Sequence, residues 1–133
     1  EQAYPEALVL DKYWIAAYIN LVDLFRQTGR DSEAETLLKN ALELAPDNAS
    51  LYHSLGLVQV RRKQMTLSLT PLKRAAELEP DNGRYSYVYA VALLDQGQAE
   101  KALGVVRTAL MRHPGDGDLR GLQDELMNSS VAH

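Results

Sequence analysis

The chain has 133 residues, the usual size of a single domain. Its hydrophobic fraction of 46% and charged fraction of 24% are ordinary for a folded globular protein, so general disorder is excluded. The net charge of −4 argues against a nucleic-acid binder that relies on a basic surface. The absence of cysteine excludes disulfides, zinc–thiolate sites and covalently attached haem. Charged residues interrupt every apolar stretch, so we expect no membrane insertion.

Leucine and alanine are abundant and β-branched runs are few, which predicts an all-α protein. Gly29 and Gly97 mark turns where a residue of positive φ can end a helix. We expect Asp31 to cap the helix that follows it, and the Asp-Asn pairs at 47–48 and 81–82 to supply caps and turns. In chain order, the apolar pattern predicts helices near residues 13–27, 32–45, 49–62, 66–79, 83–96, 98–112 and 117–128.

Three segments of the chain end in the same way, with an alanine-rich helical stretch followed by a proline. The prolines are Pro46, Pro80 and Pro114, spaced by 34 residues without insertion or deletion. This period, built from two helical stretches, resembles the tetratricopeptide repeat (TPR). The resemblance covers most of the chain and implies an α-solenoid of antiparallel helix pairs, wound as a right-handed superhelix. The three full repeats are residues 15–48, 49–82 and 83–116.

The resemblance also predicts how the two helices of a repeat pack. One partner must be small where they cross closely, so Gly56 is expected to face Ser68, and Ala90 to face Ala102. The chain departs from the family pattern at three positions, with valine at a small position, glutamine at an aromatic one and serine at the tryptophan one: Val22, Gln59 and Ser86.

The two ends and one proline need separate interpretations. Residues 1–14 resemble the end of a second helix, and we interpret them as the remnant of a preceding repeat. Residues 117–133 are interpreted as a capping helix and tail, because Leu119, Leu122 and Leu126 form an apolar stripe. Pro71 lies inside a predicted helix; we interpret it as a distorted first turn, the alternative being a late start with Thr70 as cap.

The sequence shows no catalytic or metal-binding pattern. His53, His113 and His133 lack metal-ligand spacing, and no glycine-rich phosphate loop is present. The serines predicted to lie on helices have no strand-to-helix elbow. Glu33 and Glu35 are expected on a solvated helix start, where carboxylates favour the helix dipole. We therefore expect no enzyme activity, no catalytic residue, no metal and no cofactor.

Binding is the function that the resemblance implies, because the first helices of TPR proteins line a concave groove. An apolar stripe with arginines at its rim suits an amphipathic helix or an extended peptide with acidic groups. The clamp for chaperone-tail peptides is not assembled, since Ile19, Asp23 and Val88 stand at its positions. The sequence predicts a protein or peptide partner of unknown identity. The predicted groove residues are Ile19, Asn20, Asp23, Arg26, His53, Leu57, Arg61, Arg84, Tyr87 and Val91.

A second hypothesis stays open beside this one. The tyrosine-rich run at 84–93 also resembles, more weakly, TPR segments of bacterial multihaem cytochrome c-like proteins. The chain would then be a structural or docking arm of a larger enzyme or electron-transfer protein, packing intramolecularly or oligomerising. The compartment stays open between cytoplasm and periplasm. The N-terminal segment carries Tyr4, Leu8 and Leu10. We expect it either to pack back on the helix of Trp14 and Tyr18 or to form a weak homodimer with the same segment of a second molecule.

Overall fold

The computed structural model describes the backbone of residues 4–131 and the side chains of residues 14–128. This part of the chain is all helical and contains no strand. Each helix packs against the next along the chain, and α1 also contacts α3, as α5 contacts α7. The first helices α1 and α3 are thus neighbours, and so are α5 and α7, as in an α-solenoid. The helices are α1 (Tyr4–Gln27), α2 (Asp31–Leu44), α3 (Ala49–Arg61), α4 (Met65–Leu78), α5 (Gly83–Asp95), α6 (Ala99–Arg112) and α7 (Gly117–Val131).

The first helix of each later pair begins at a side-chain cap, and the caps follow the repeat. The side chains of Asn48 and Asp116 accept backbone N–H bonds of 3.0 Å from the residues three positions on. Asn82, midway between them, accepts from the backbone of Arg84 and Tyr85. The predicted role of the two Asp-Asn pairs is confirmed. The predicted cap at Asp31 is wrong, because α2 follows Arg30, which makes no side-chain cap bond.

The second helix of each pair ends where the proline requires it. The residue before each proline has left the helical region, with φ of −137° at Ala45, −131° at Glu79 and −133° at His113. Proline disfavours the helical conformation of the residue that precedes it and cannot donate a backbone hydrogen bond. The 34-residue spacing of the prolines therefore sets the spacing of the helix ends.

The turns within the three pairs share one left-handed residue at the same repeat position. Gly29 and Gly97 have φ of 74° and 76°, as predicted, and Lys63 between them has φ of 62°. Glycine adopts this region without steric cost, whereas a side chain is strained in it. The middle repeat therefore carries a strained turn that the other two lack.

Lys63→Gly is expected to stabilise the protein by about 0.5–1 kcal/mol, because it removes this backbone strain. The greater entropy of glycine in the unfolded chain offsets only part of that stabilisation. Urea unfolding followed by circular dichroism measures the change. Lys101→Gly is the matched control: it places the same substitution inside α6, where it should destabilise by about 1 kcal/mol. Equal losses in both variants would contradict the strained-turn account.

The hydrophobic core lies between the helices in two clusters. The N-terminal cluster is centred on Val22, Leu38 and Leu51, and the C-terminal cluster on Leu93, Val106 and Leu119. The predicted stripe of α7 is buried, with Leu119, Leu122 and Leu126 exposed by 0%, 5% and 1%. At the other end of the solenoid, Leu21 and Leu24 of α1 are exposed. The stripe of α7 is therefore part of the core, whereas these two side chains of α1 face solvent.

Repeat two contains one close contact that the sequence did not predict and one prediction that is wrong, the placement of Pro71. The three atoms nearest to a Cβ placed on Gly56 belong to Leu72, and the added atom would overlap that side chain. Leu72 is one helical turn beyond Ser68, so it shares the face that the pattern had assigned to the small residue. Pro71 lies in the interior of α4, which starts at Met65, so it is neither in the first turn nor preceded by a cap at Thr70.

The N-terminal segment also differs from the expectation. One continuous helix runs from Tyr4 to Gln27, and it does not break near residue 12 as a separate remnant helix would require. The reason is visible in the repeat: Lys12 stands 34 residues before Pro46, so no proline ends the helix there. The side chains of residues 1–13 lie outside the described part of the chain, and so does His133. The weak homodimer through the N-terminal segment therefore stays a prediction.

Candidate partner-binding groove

The outward face of α5 carries three of the predicted groove residues. Arg84, Tyr87 and Val91 follow one another at helical spacing, so they share a face of the helix. Arg84 is exposed, while Tyr87 and Val91 are half-buried and pack against the C-terminal cluster. The opposite face, with Ala90 and Leu93, is buried against α6. Helix α5 therefore presents an amphipathic surface with an arginine at its N-terminal end.

Helix α3 presents the corresponding pair, His53 and Leu57, both half-buried. The imidazole of His53 lies against the ring of Tyr85 of α5, with 4.5 Å between ring centroids. Leu57 belongs to neither hydrophobic cluster among the described residues. Side chains of α3 thus reach α5 across the surface between the two first helices.

His53 is neutral at physiological pH. Burial lowers the pKa of its imidazole, and the positive charge of Arg84 lowers it further, to about 4. The buried Nδ1 atom has no hydrogen-bond partner among the described residues. His53 therefore offers an aromatic surface to a ligand rather than a positive charge.

The folded-state pKa of His53 lies below the ordinary value of 6.5, so the unfolded chain binds its proton first. The contribution of neutral His53 to the free energy of unfolding should be fully present above pH 6.5. It should decrease as the pH falls from 6.5 to about 4 and stay constant below that. His53→Gln should flatten that part of the stability profile. A proton NMR titration of the imidazole measures the pKa directly, and Arg84→Gln should raise it. A value near 6.5 in the folded protein would contradict the buried ring.

The three predicted arginines of the rim differ in their contacts. Arg26 pairs with Asp23 at 3.3 Å, on its own helix. Arg61 lies 3.3 Å from the Asp31 carboxylate and donates to the backbone oxygen of Arg26 at 3.4 Å. Arg84 makes no ion pair within the described residues. It is therefore the groove arginine best placed to meet an acidic ligand.

The remaining predicted positions lie on α1. Ile19 is half-buried against the N-terminal cluster, whereas Asn20 and Asp23 are exposed. Apart from the link between Arg61 and Arg26, the described contacts do not join these α1 side chains to those of α5. The ring contact of His53 with Tyr85 joins α3 to α5, so these two helices form the better defined part of the candidate groove.

A polar cluster that the sequence did not predict joins α2 to α3. Glu35, expected on a solvated face, is only 5% exposed. Its carboxylate pairs with Lys39 at 3.0 Å and with Arg62 at 2.5 Å, and it accepts a 3.3 Å bond from the Gln59 amide. Burial raises the pKa of Glu35, but the bonds from Lys39, Arg62 and Gln59 together bring it below the usual value. Gln59, at the aromatic position of the family, thus has a buried polar partner.

Two kinds of feature are absent from the described residues. The helices of this part include none that is both long and apolar enough to cross a membrane. Within the same range, no three histidine, aspartate or glutamate side chains gather as a metal site would require.

An α-solenoid of helix pairs with a 34-residue period defines a class of helical-repeat protein, and family models agree. A model described as TPR repeat matches residues 23–63, and one described as tetratricopeptide repeat matches residues 69–126. The chain belongs to the tetratricopeptide-repeat family. The repeats support a protein-interaction scaffold.

Two of the similar proteins are much longer than this chain, which matches only a segment of each. Protein O-mannosyl-transferase Tmtc2 of Drosophila melanogaster is 43% identical over 54 residues, which are 40% of this chain and 6% of that protein. A mutant O-GlcNAc transferase of Thermobaculum terrenum is 28% identical with a TM-score of 0.67, over 79% of this chain and 20% of that one. The chain therefore spans only a small part of either transferase.

Two further structures have TPR-like folds of more similar size. A MamA mutant is 26% identical with a TM-score of 0.73, over 87% of this chain and 64% of that one. The first TPR of Spaghetti (RPAP3), bound to the HSP90 peptide SRMEEVD, has a TM-score of 0.77 over 87% of this chain and 92% of that one. Its identity is 13%, so this likeness shows the fold alone.

Proposed function

We propose that the chain binds a peptide or helix of a partner protein on the surface of its first helices, and that it is not itself an enzyme. The observation that carries the proposal is the face of α5 on which half-buried Tyr87 and Val91 follow Arg84, which is exposed and makes no ion pair among the described residues. Such a surface suits an apolar side chain flanked by acidic groups. The neighbour that binds an HSP90 peptide is a precedent for a TPR fold in this role.

The second hypothesis is that these repeats are a docking arm of a larger protein. The two transferases favour it, because there the matching segment is a small fraction of a chain named for its enzyme activity. In that case the groove would hold a segment of its own chain. Cross-linking mass spectrometry on the protein as the cell expresses it separates the two: links within one chain support the arm, and links to a second protein support the scaffold.

Leu57→Asp tests the groove. Leu57 lies outside both core clusters, so this change should leave the thermal melting curve close to that of the wild type while abolishing capture of the partner from cell extract. Leu44→Asp, on the exposed end of the second helix of repeat one, is the matched control and should leave capture intact. Undiminished capture by Leu57→Asp would rule out the proposed surface. Tyr87 is less suitable as a test because it packs against the C-terminal cluster.

A further inference from the structure

A second groove lies on the other side of the solenoid, between α4 and α6. Its volume is about 600 Å³, and its apolar lining includes Ala76, Tyr89, Leu93 and Val105. Tyr89 and Leu93 lie on the face of α5 opposite to Tyr87 and Val91, so this groove and the candidate groove of the first helices open in different directions. We call it the α4–α6 groove.

Two small residues make room for this groove. Ala76 on α4 and Gly104 on α6 stand 34 residues after Leu42 and Thr70, which are larger. Gly104 is exposed within a helix, and nothing lies within 4 Å of the position that its Cβ would occupy. A glycine there costs about 1 kcal/mol of helix stability relative to alanine, and no turn requires it. Its effect is to let another backbone approach α6 closely.

The groove carries lysines without acidic partners. In repeat one, Lys39 pairs with Glu35 at 3.0 Å. The corresponding residues of repeat two are Lys73 and Leu69, so Lys73 has no carboxylate at that position. Lys101, on the opposite wall, stands where repeat two has Leu67. Neither Lys73 nor Lys101 forms an ion pair within the described residues. Arg112 is held by Asp81 at 2.6 Å, and Glu77 is the one acidic side chain of the lining.

We infer that the α4–α6 groove binds an amphipathic helix of a partner protein whose apolar stripe is flanked by acidic residues. The apolar lining receives the stripe, Gly104 and Ala76 permit close approach of the backbone, and Lys73 and Lys101 attract the flanking carboxylates. An open groove between two helices leaves a small ligand more exposed than the 70–90% burial that is typical of small-molecule sites. The site is separate from the surface proposed above, and neither depends on the other.

The test uses two synthetic 18-residue helical peptides with leucines at positions i, i+3, i+4 and i+7. One carries glutamates beside the leucines and the other carries lysines. Titration into the 15N-labelled protein should shift the amide signals of Ala76, Gly104 and Val105 with the glutamate peptide. Lys73→Glu with Lys101→Glu should weaken its binding by about tenfold or more and favour the lysine peptide. Gly104→Leu should block binding, whereas Gly121→Leu, at another exposed helical glycine, should not.

Three results would overturn the inference. The first is no binding of the glutamate peptide at millimolar concentration. The second is a shift pattern confined to the surface of His53 and Leu57, which would leave the proposed function standing without a second site. The third is a concentration-dependent dimer that Gly104→Leu abolishes, since a second copy would then occupy the groove. Binding that survives Leu57→Asp but not Gly104→Leu supports the inference and separates it from the proposed function.

Discussion

Gly56→Ala is expected to destabilise the protein by about 1–3 kcal/mol, although alanine is the better helix former by about 1 kcal/mol. The added methyl group would overlap the side chain of Leu72, which is fully buried. Because interiors are close-packed, the two helices of repeat two would have to separate. Urea unfolding followed by circular dichroism measures the loss.

Two other helical glycines provide the control. Gly104 and Gly121 are exposed, and a Cβ on either would meet nothing within 4 Å. Gly104→Ala and Gly121→Ala should each stabilise the protein by about 0.5–1 kcal/mol. The effect of a glycine-to-alanine substitution on stability should thus change sign between the buried position and the two exposed ones. A gain at all three positions would show that α3 and α4 do not approach as closely as the structure indicates.

Glu35→Gln is expected to destabilise the protein by about 1–3 kcal/mol, because Arg62 and Lys39 would lose their carboxylate in a mostly buried place. The matched control is Glu33→Gln, two residues earlier in α2, where the ion pair with Arg30 is exposed. That change should leave the unfolding midpoint close to that of the wild type, because solvent screens an exposed ion pair. Thermal and urea unfolding of both variants gives the comparison. Equal effects would mean that Glu35 is solvated.

The same carboxylate predicts a pH dependence. The pKa of Glu35 is lower in the folded protein than in the unfolded chain, so the unfolded chain takes up the proton first. Its contribution is present above the ordinary value of 4.5 and is lost as the pH falls through the lower folded value. Glu35→Gln should remove that part of the acid sensitivity, which lies below the range where His53 begins to act.

The helix boundaries were predictable because the chemistry that sets them is local. Asn48 and Asn82 cap helices through bonds to residues two or three positions away, and Pro46 and Pro80 act on the residue just before them. Such signals can be read without any knowledge of the tertiary structure. The buried stripe of α7 followed from helical spacing for the same reason.

Features that join distant parts of the chain could not be predicted in this way. Gln59 and Glu35 are 24 residues apart, and neither residue type signals burial. The ring contact between His53 and Tyr85 likewise depends on the packing of two repeats. The left-handed Lys63 was accessible in principle, because comparison with Gly29 and Gly97 at the same repeat position reveals it. The groove assignment on α1, α3 and α5 came from the family resemblance and stays a prediction.

The different burial of apolar side chains on α1 and α7 predicts a direction for unfolding. In a stack where each repeat contacts only its neighbours, an end can fray without disturbing the far end. Helix α7 buries three leucines in the C-terminal cluster, whereas Leu21 and Leu24 of α1 are exposed. Opening should therefore start with α1 and α2 and proceed toward α7. Amide hydrogens of α1 and α2 would then exchange with solvent before those of α5 and α6.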